Sequence, residues 1–443
     1  MNIFALSTGR GPSGIAILRL SGKDSFRISK LITKKNDLKS KEINLCKFYD
    51  PSNNKMIDEG LLIWCPGPNS YTGEDLAEFH THGSNAVVSC FLRVLGEQEN
   101  CRLAEPGEFT KIAFQNNKIN LLKAESISDL ISSETEIQRE QAIKIMSGKN
   151  SKKFLSWREG LLKVLSKVEA KIDFPEDDLP KNILEDIKII SEKIKNEIKK
   201  TLDDQKVGER IREGFKIAIV GPTNAGKSSL LNYISRRDVA IVSEIAGTTR
   251  DVIETHLNIN GLPVVLSDTA GIRQSKDEIE KKGIKLALKK AEDADLNIVL
   301  IEPKSSHFTG FLKGLVSDKS ILVVNKSDLG IENMVQDFKN YNPIYISLKN
   351  EKNIDQLISA IKDRLKNQFI NSNDILITRE RHRENLEKCV YHLESFNNKN
   401  EMEDFDKAAE DLRLAIRHLG IIVGTVDVEE VLGSIFEDFC IGK

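Results

Sequence analysis

The sequence predicts a multidomain chain: an N-terminal α+β domain, a helical domain formed from two segments, and an α/β P-loop domain inserted between them. Three observations carry this. Residues 221–228 read Gly-Pro-Thr-Asn-Ala-Gly-Lys-Ser, the spacing of a phosphate-binding loop, between an apolar run at 215–220 and a helically spaced run from Ser229. Apolar stripes at helical spacing lie on both sides of that segment. The first 115 residues or so instead mix strand and helix patterns.

Taken in order, Ile15 to Leu20 and Gly60 to Trp64 read as strands, and Ser84 to Leu95 as a helix. From about Leu121 to Val207 the pattern is helical. Phe154, Trp157, Leu161, Val164, Leu165 and Val168 form one stripe, and Ile187, Ile190, Ile194 and Ile198 a second. Pro175 and Pro180 interrupt the run. Residues 214–366 alternate strands with helices, as a doubly wound parallel sheet does. Residues 378–436 return to helix. Neither helical segment has a core of its own, so the two are expected to pack together, an extended solvated helix being the alternative. The expected domains are 1–117, 118–212, 213–368 and 369–443.

Bulk properties narrow the class. The chain has 443 residues, 65 Lys+Arg against 67 Asp+Glu, and a formal charge of −2. That balance gives no general drive toward nucleic acid, so any RNA contact must be local or pass through a partner. No run has the length of a membrane span and the start has no signal-peptide layout. Cys46, Cys65, Cys90, Cys101, Cys389 and Cys440 form no Cys-x-x-Cys pair and read as reduced thiols of a cytoplasmic protein. His80 and His82 alternate onto one strand face, a pairing open to a metal site.

The P-loop run supplies most of the chemistry. Gly221 and Gly226 let backbone N–H groups turn toward phosphate at a helix N-terminus. Asn224, Ala225, Gly226, Lys227, Ser228 and Ser229 are the expected contacts, with Lys227 on the β- and γ-phosphates and Ser228 on Mg²⁺. Asp268-Thr269-Ala270-Gly271 follows an apolar stretch, which puts Asp268 at a strand end, near Mg²⁺, and Gly271 near the γ-phosphate. Gly247-Thr248-Thr249 lies between, with Thr249 placed to close on Mg²⁺. Asn325-Lys326-Ser327-Asp328 follows another strand pattern. Its Asp328 can accept two hydrogen bonds from guanine, a pair of donors that adenine lacks. Ser347-Leu348-Lys349 is placed for a backbone contact to the guanine oxygen. The ordered set predicts GTP binding.

Further stretches carry no general GTP-binding meaning. They are Pro68-Asn69-Ser70-Tyr71-Thr72-Gly73-Glu74-Asp75, Pro106-Gly107-Glu108-Phe109-Thr110, Asp173-Phe174-Pro175, Glu410-Asp411-Leu412-Arg413 and the terminal Phe439-Cys440-Ile441-Gly442-Lys443. With the central motifs they resemble the tRNA modification GTPase family MnmE, also called TrmE, nearly end to end. The resemblance implies a homodimer formed through the N-terminal domain. It also implies modification of a tRNA wobble uridine at C5, of aminomethyl or carboxymethylaminomethyl type. That work uses a one-carbon tetrahydrofolate, for which 5-formyl-tetrahydrofolate is a bound analogue. An FAD-dependent partner of the MnmG family joins it in a heterotetramer. Arg19, Glu78, Lys118 and Lys443 match the family's folate site, where carboxylates suit Arg and Lys and pterin donors suit Glu. Cys440 reads equally as a reactive thiol or a packing residue.

The position after Asp268-Thr269-Ala270-Gly271 is Ile272, where many small GTPases carry a water-orienting Gln. The resemblance assigns that task to Glu280, with Glu278 its neighbour and competitor. It also implies K⁺ in place of an arginine finger, held by Asn224, Ser243, the Ile245 carbonyl and Thr248, and hydrolysis faster in potassium than in sodium. Ser243 stands where the family more often has Thr and keeps the hydroxyl. Nucleotide contacts extend over Ser243, Glu244, Ile245, Ala246 and Gly247. Arg250, Asp251 and Arg273 flank these switches. The alternative reading is an RNA-assembly GTPase switch without modification chemistry.

Overall fold

A computed structural model describes residues 1–173, 183–222, 224–236, 254–268, 289–303, 314–330, 341–369, 375–399 and 405–426. Near the end it describes 432, 435, 436, 439, 441 and 442. The chain divides into two compact units: 1–128 with 145–159 and 416–443, and 129–144 with 160–415.

The first unit is built on β1 (Asn2–Leu6), β2 (Ser13–Ser21), β3 (Ile43–Tyr49), β4 (Met56–Cys65), β5 (Leu76–Gly83) and β6 (Cys101–Leu103). They form one sheet in the order β3-β4-β5-β2-β1-β6, antiparallel except for β1 with β6. Alternation along these strands sends Leu18, Leu20, Phe48, Leu62 and Phe79 to one face. There α1 (Ser25–Thr33) and α2 (Asn85–Gly96) cover them. Phe48, Phe79 and Phe91 meet there with centroids 5.2–5.8 Å apart. Ser84 caps α2, its hydroxyl accepting from the Val87 amide at 3.2 Å. The opposite face is covered in part, where Ile3, Ala5 and Leu76 pack with Phe109, and exposed in part, where Ile15, Ile43 and Leu45 are 63%, 68% and 62% exposed. After α3 (Glu108–Gln115) come α4 (Leu121–Ile131) and α5 (Glu136–Met146).

The long helices follow the expected stripes. In α6 (Lys149–Asp173) Phe154, Trp157, Leu161, Val164 and Val168 are buried and Leu165 half-buried. In α7 (Ile183–Leu202) Ile187, Ile194 and Ile198 are buried and Ile190 half-buried. A short α8 (Val207–Glu213) leads into the second sheet.

That sheet contains β7 (Phe215–Val220), β8 (Glu254–Ile259), β9 (Leu262–Asp268), β10 (Leu296–Ile301), β11 (Ser320–Val324) and β12 (Ile344–Tyr345), in the order β12-β11-β10-β7-β9-β8. The inner strands are nearly continuous apolar runs, as strands covered on both faces must be. Leu230 and Ile234 of α9 (Lys227–Arg236) and Leu357, Ile361 and Leu365 of α10 (Ile354–Phe369) complete that core. The sheet is not wholly parallel: β8 and β9 form an antiparallel hairpin. Its turn is Asn260-Gly261, with φ of 50° and 92°, the pairing that a tight two-residue hairpin demands.

Beyond this sheet, α11 (Glu380–Asn397) packs on α7. Asn397 accepts from the Ser191 hydroxyl at 2.9 Å and donates to Glu192 at 2.9 Å. Arg413 of α12 (Phe405–Val423) pairs with Glu169 at 2.6 Å. The helical segments before and after the inserted sheet thus pack on each other, not as an extended solvated helix.

Candidate functional site

The described residues of the expected nucleotide site gather at the C-terminal ends of β7, β10 and β11, where ligands of open α/β sheets bind. β7 ends at Val220 and α9 begins at Lys227, so the phosphate loop joins strand to helix. A Cβ on Gly221 would collide with the Leu300 carbonyl. At Gly226, φ is +100° and a Cβ would overlap the Asn325 amide nitrogen, so only glycine fits. Into that space Asn325 reaches to donate to the Ala225 carbonyl at 2.9 Å. Its oxygen accepts from the Leu348 amide at 3.3 Å. One side chain therefore ties the loop after β7 to the loops that carry Asp328 and Leu348.

Lys227 donates to the Gly221 and Pro222 carbonyls, both at 2.8 Å, and so spans its loop. Asp328 accepts from the Ser347 hydroxyl at 2.6 Å, and that bond, first among several influences, holds its carboxyl below the ordinary range. The cleft between these loops is about 920 Å³ and is lined by Asn224, Gly226, Lys227, Ser228, Ser229, Asn325, Lys326, Asp328, Leu329, Leu348 and Lys349. That is ample for a nucleotide. Its hydroxyl, amide and carboxylate oxygens are of the kind hard cations take. β9 ends on Asp268. The expected contacts Ser243, Glu244, Ile245, Ala246, Gly247, Thr248, Thr249, Thr269, Ala270, Gly271 and Glu280 lie outside the described residues, as do Glu278, Ile272, Arg250, Asp251, Arg273, Cys440 and Lys443.

A second cluster forms on the face of the first sheet opposite α1 and α2. Arg19 and Glu78 face each other across β2 and β5 and pair at 2.7 Å. The Arg19 guanidinium lies 5.3 Å from the Tyr71 ring centre and 5.5 Å from that of Phe109. The Tyr71 hydroxyl bonds Thr110 at 2.8 Å. Lys118 lies against the same loop, its Cγ 3.3 Å from where a Gly73 Cβ would stand. The chain end returns to the same unit: Gly442 accepts from the Ser7 hydroxyl at 2.9 Å, and Ile441 bridges Pro106. Gly107, with φ of +66°, leaves room for Phe436 and Phe439. Sequence reasoning missed Tyr71 and Phe109 as neighbours of Arg19, although both stand inside the stretches that carry the resemblance. Cys65, one of the expected reduced thiols, packs against the Phe109 cluster, and burial and then Glu78 push its thiol up.

The two histidines make no metal centre. His82 binds Asp58 at 2.8 Å and His80 lies 3.9 Å from Glu78. Among the described residues no group of three or more His, Cys, Asp or Glu is placed to hold a metal. No described helix is long and apolar enough to cross a membrane.

A sheet of this order, with the loop after β7 stapled by Asn325 to the Leu348 loop, places the chain among the P-loop GTPases. Comparison with known proteins makes this more particular. The model for the GTP-binding protein TrmE N-terminus matches residues 2–118, and that for the MnmE helical domain matches 121–440. Across the full length of both chains the sequence is 65% identical to the tRNA modification GTPase MnmE of Pelagibacter ubique. It is 43% identical to that of Rickettsia bellii and 44% to that of Parvibaculum lavamentivorans, each over all of this chain and 99% of the other. The chain belongs to the MnmE family.

Proposed function

We propose that this chain is the GTP-hydrolysing component of tRNA wobble-uridine C5 modification, of aminomethyl or carboxymethylaminomethyl type. It acts in the cytoplasm with a one-carbon tetrahydrofolate and an FAD-dependent partner of the MnmG family, in a heterotetramer. The observation that carries the reading is the Arg19–Glu78 pair with Tyr71 and Phe109 against it, in the unit where the chain end returns to bind Ser7 and Pro106. These come from four distant parts of the sequence, and a GTP switch alone would not need them together.

In the cleft, Asp328 would select guanine and Lys227 would draw the β- and γ-phosphates, with Gly226 keeping the loop's amides close to them. Ser228 and Thr249 would hold Mg²⁺. Asn224, Ser243, the Ile245 carbonyl and Thr248 would hold K⁺, and the two cations would offset the phosphate charge when bound. Glu280 would orient the attacking water, since Ile272 has no group to do so. On the face opposite α1 and α2, Glu78, held in place by Arg19, would accept from the pterin donors, and Lys118 and Lys443 would take the folate carboxylates. The same face exposes Ile15, Ile43 and Leu45, an apolar surface suited to a second copy of this chain. The proposed domains are 1–117, 118–212, 213–368 and 369–443, the first boundary supported by family models that end at 118 and begin at 121.

Calorimetric titration of 5-formyl-tetrahydrofolate tests this. Wild-type chain should bind, and Arg19→Ala should weaken binding about tenfold or more, the worth of one charged hydrogen bond. Absence of wild-type binding would remove the folate half of the proposal.

A further inference from the structure

Lys326 sits between two residues with settled tasks. Asn325 staples the loops and Asp328 is held by Ser347. Lys326 itself has φ of 60°, a left-handed turn that carries it out of the line of β11, and it lines the cleft. Its ammonium lies 2.7 Å from a carboxylate oxygen of Glu302, the residue that follows β10. The two side chains are 35% and 30% exposed, so the pair is partly shielded from water. Glu302 belongs to none of the nucleotide motifs and is not among the residues lining the cleft.

The cleft holds two other cations, Lys227 and Lys349. A third, on a flexible four-carbon stem, would be drawn toward any incoming phosphate unless something held it back. We propose that Glu302 is a positioning residue for the nucleotide base. It anchors the Lys326 ammonium, lays the lysine stem beside Leu348 as an apolar wall for guanine, and keeps that charge off the phosphates. This rests on the guanine-nucleotide reading of the cleft. The gain is preorganisation: the lysine is ordered before the ligand arrives, so binding need not order it.

The test uses the full chain with Mg²⁺, a fluorescent GDP and inorganic pyrophosphate as competitor. Glu302→Ala should weaken GDP about three- to tenfold, the cost of ordering one long side chain on binding. Glu302→Gln, the isosteric change, should show most of that loss, and Glu302→Asp should recover part of it. Pyrophosphate should bind at least as tightly as before, since the released ammonium is free to be drawn to it. In a Lys326→Ala background, Glu302→Ala should add less than about twofold, because its effect passes through the lysine. Unchanged GDP affinity, an equal loss for pyrophosphate, or the full Glu302→Ala loss in the Lys326→Ala background would each overturn the proposal. A wild-type chain that binds no GDP would overturn the guanine reading itself, a different result.

Discussion

Asn325 and Asp328 divide one motif between structure and, in the proposed function, recognition. Asn325 is buried and spends its amide group on Ala225 and Leu348. Asp328 is exposed at the cleft, and the Ser347 bond keeps it ionised, as an acceptor for two guanine donors must be. Asp328→Asn should therefore cost GTP affinity by about 10²-fold or more, two charged hydrogen bonds being lost or weakened. It should also improve xanthosine triphosphate, whose oxygen can accept from the new amide. Titration of both nucleotides checks this, and unchanged GTP affinity would remove Asp328 from base recognition. The motif was legible because a strand pattern followed by Asn-Lys-Ser-Asp is local information. The bonds from Asn325 to Ala225 and from Lys326 to Glu302 were not. Each depends on loops that only the folded sheet brings together.

At the scale of elements, α8 shows how the inserted sheet is held. The helix is seven residues long, too short to stand alone, and its stability comes from its neighbours. Gln138 donates to the Arg212 carbonyl and Gln141 to that of Gly208. Arg212 and Arg379 share Asp129, at 3.1 and 2.7 Å. Arg210 pairs with Asp295, which also accepts from the Lys216 amide at 2.9 Å. Arg383 of α11, itself buried, binds Glu209 at 2.8 Å and Asp204 at 2.6 Å. Burial works against its charge, but the two carboxylates prevail and hold the guanidinium protonated. Arg383→Ala would strand them, and denaturant unfolding should show a loss of about 3–5 kcal/mol. A change below about 1 kcal/mol would mean that water reaches the triad.

Other elements show what sequence can and cannot disclose. The hairpin at β8 and β9 was signalled by Asn260-Gly261 between alternating apolar residues, but the prevailing strand–helix alternation read as parallel throughout. The stretch Glu410-Asp411-Leu412-Arg413 carries the resemblance, and here its residues pack. Asp411 is buried and accepts from Ser395 at 2.7 Å, with His392 at 3.1 Å. Leu412 is core, and Arg413 joins α12 to Glu169 of α6.

For the whole molecule, the multidomain plan was legible because each part has its own period: alternation in the first sheet, continuous apolar strands in the second, helical stripes around it. The contact of the chain end with Ser7 was not, since nothing local ties Gly442 to it. That convergence and the intact cleft together make the central claim, GTP-dependent modification of tRNA. The most direct measurement is mass spectrometry of tRNA nucleosides from cells lacking this chain, complemented with the wild type or with Lys227→Ala. The proposed function predicts that a C5-substituted wobble uridine disappears, returns with the wild type, and stays absent with Lys227→Ala. A nucleoside profile that never changes would contradict it and leave a GTPase switch acting on another RNA client.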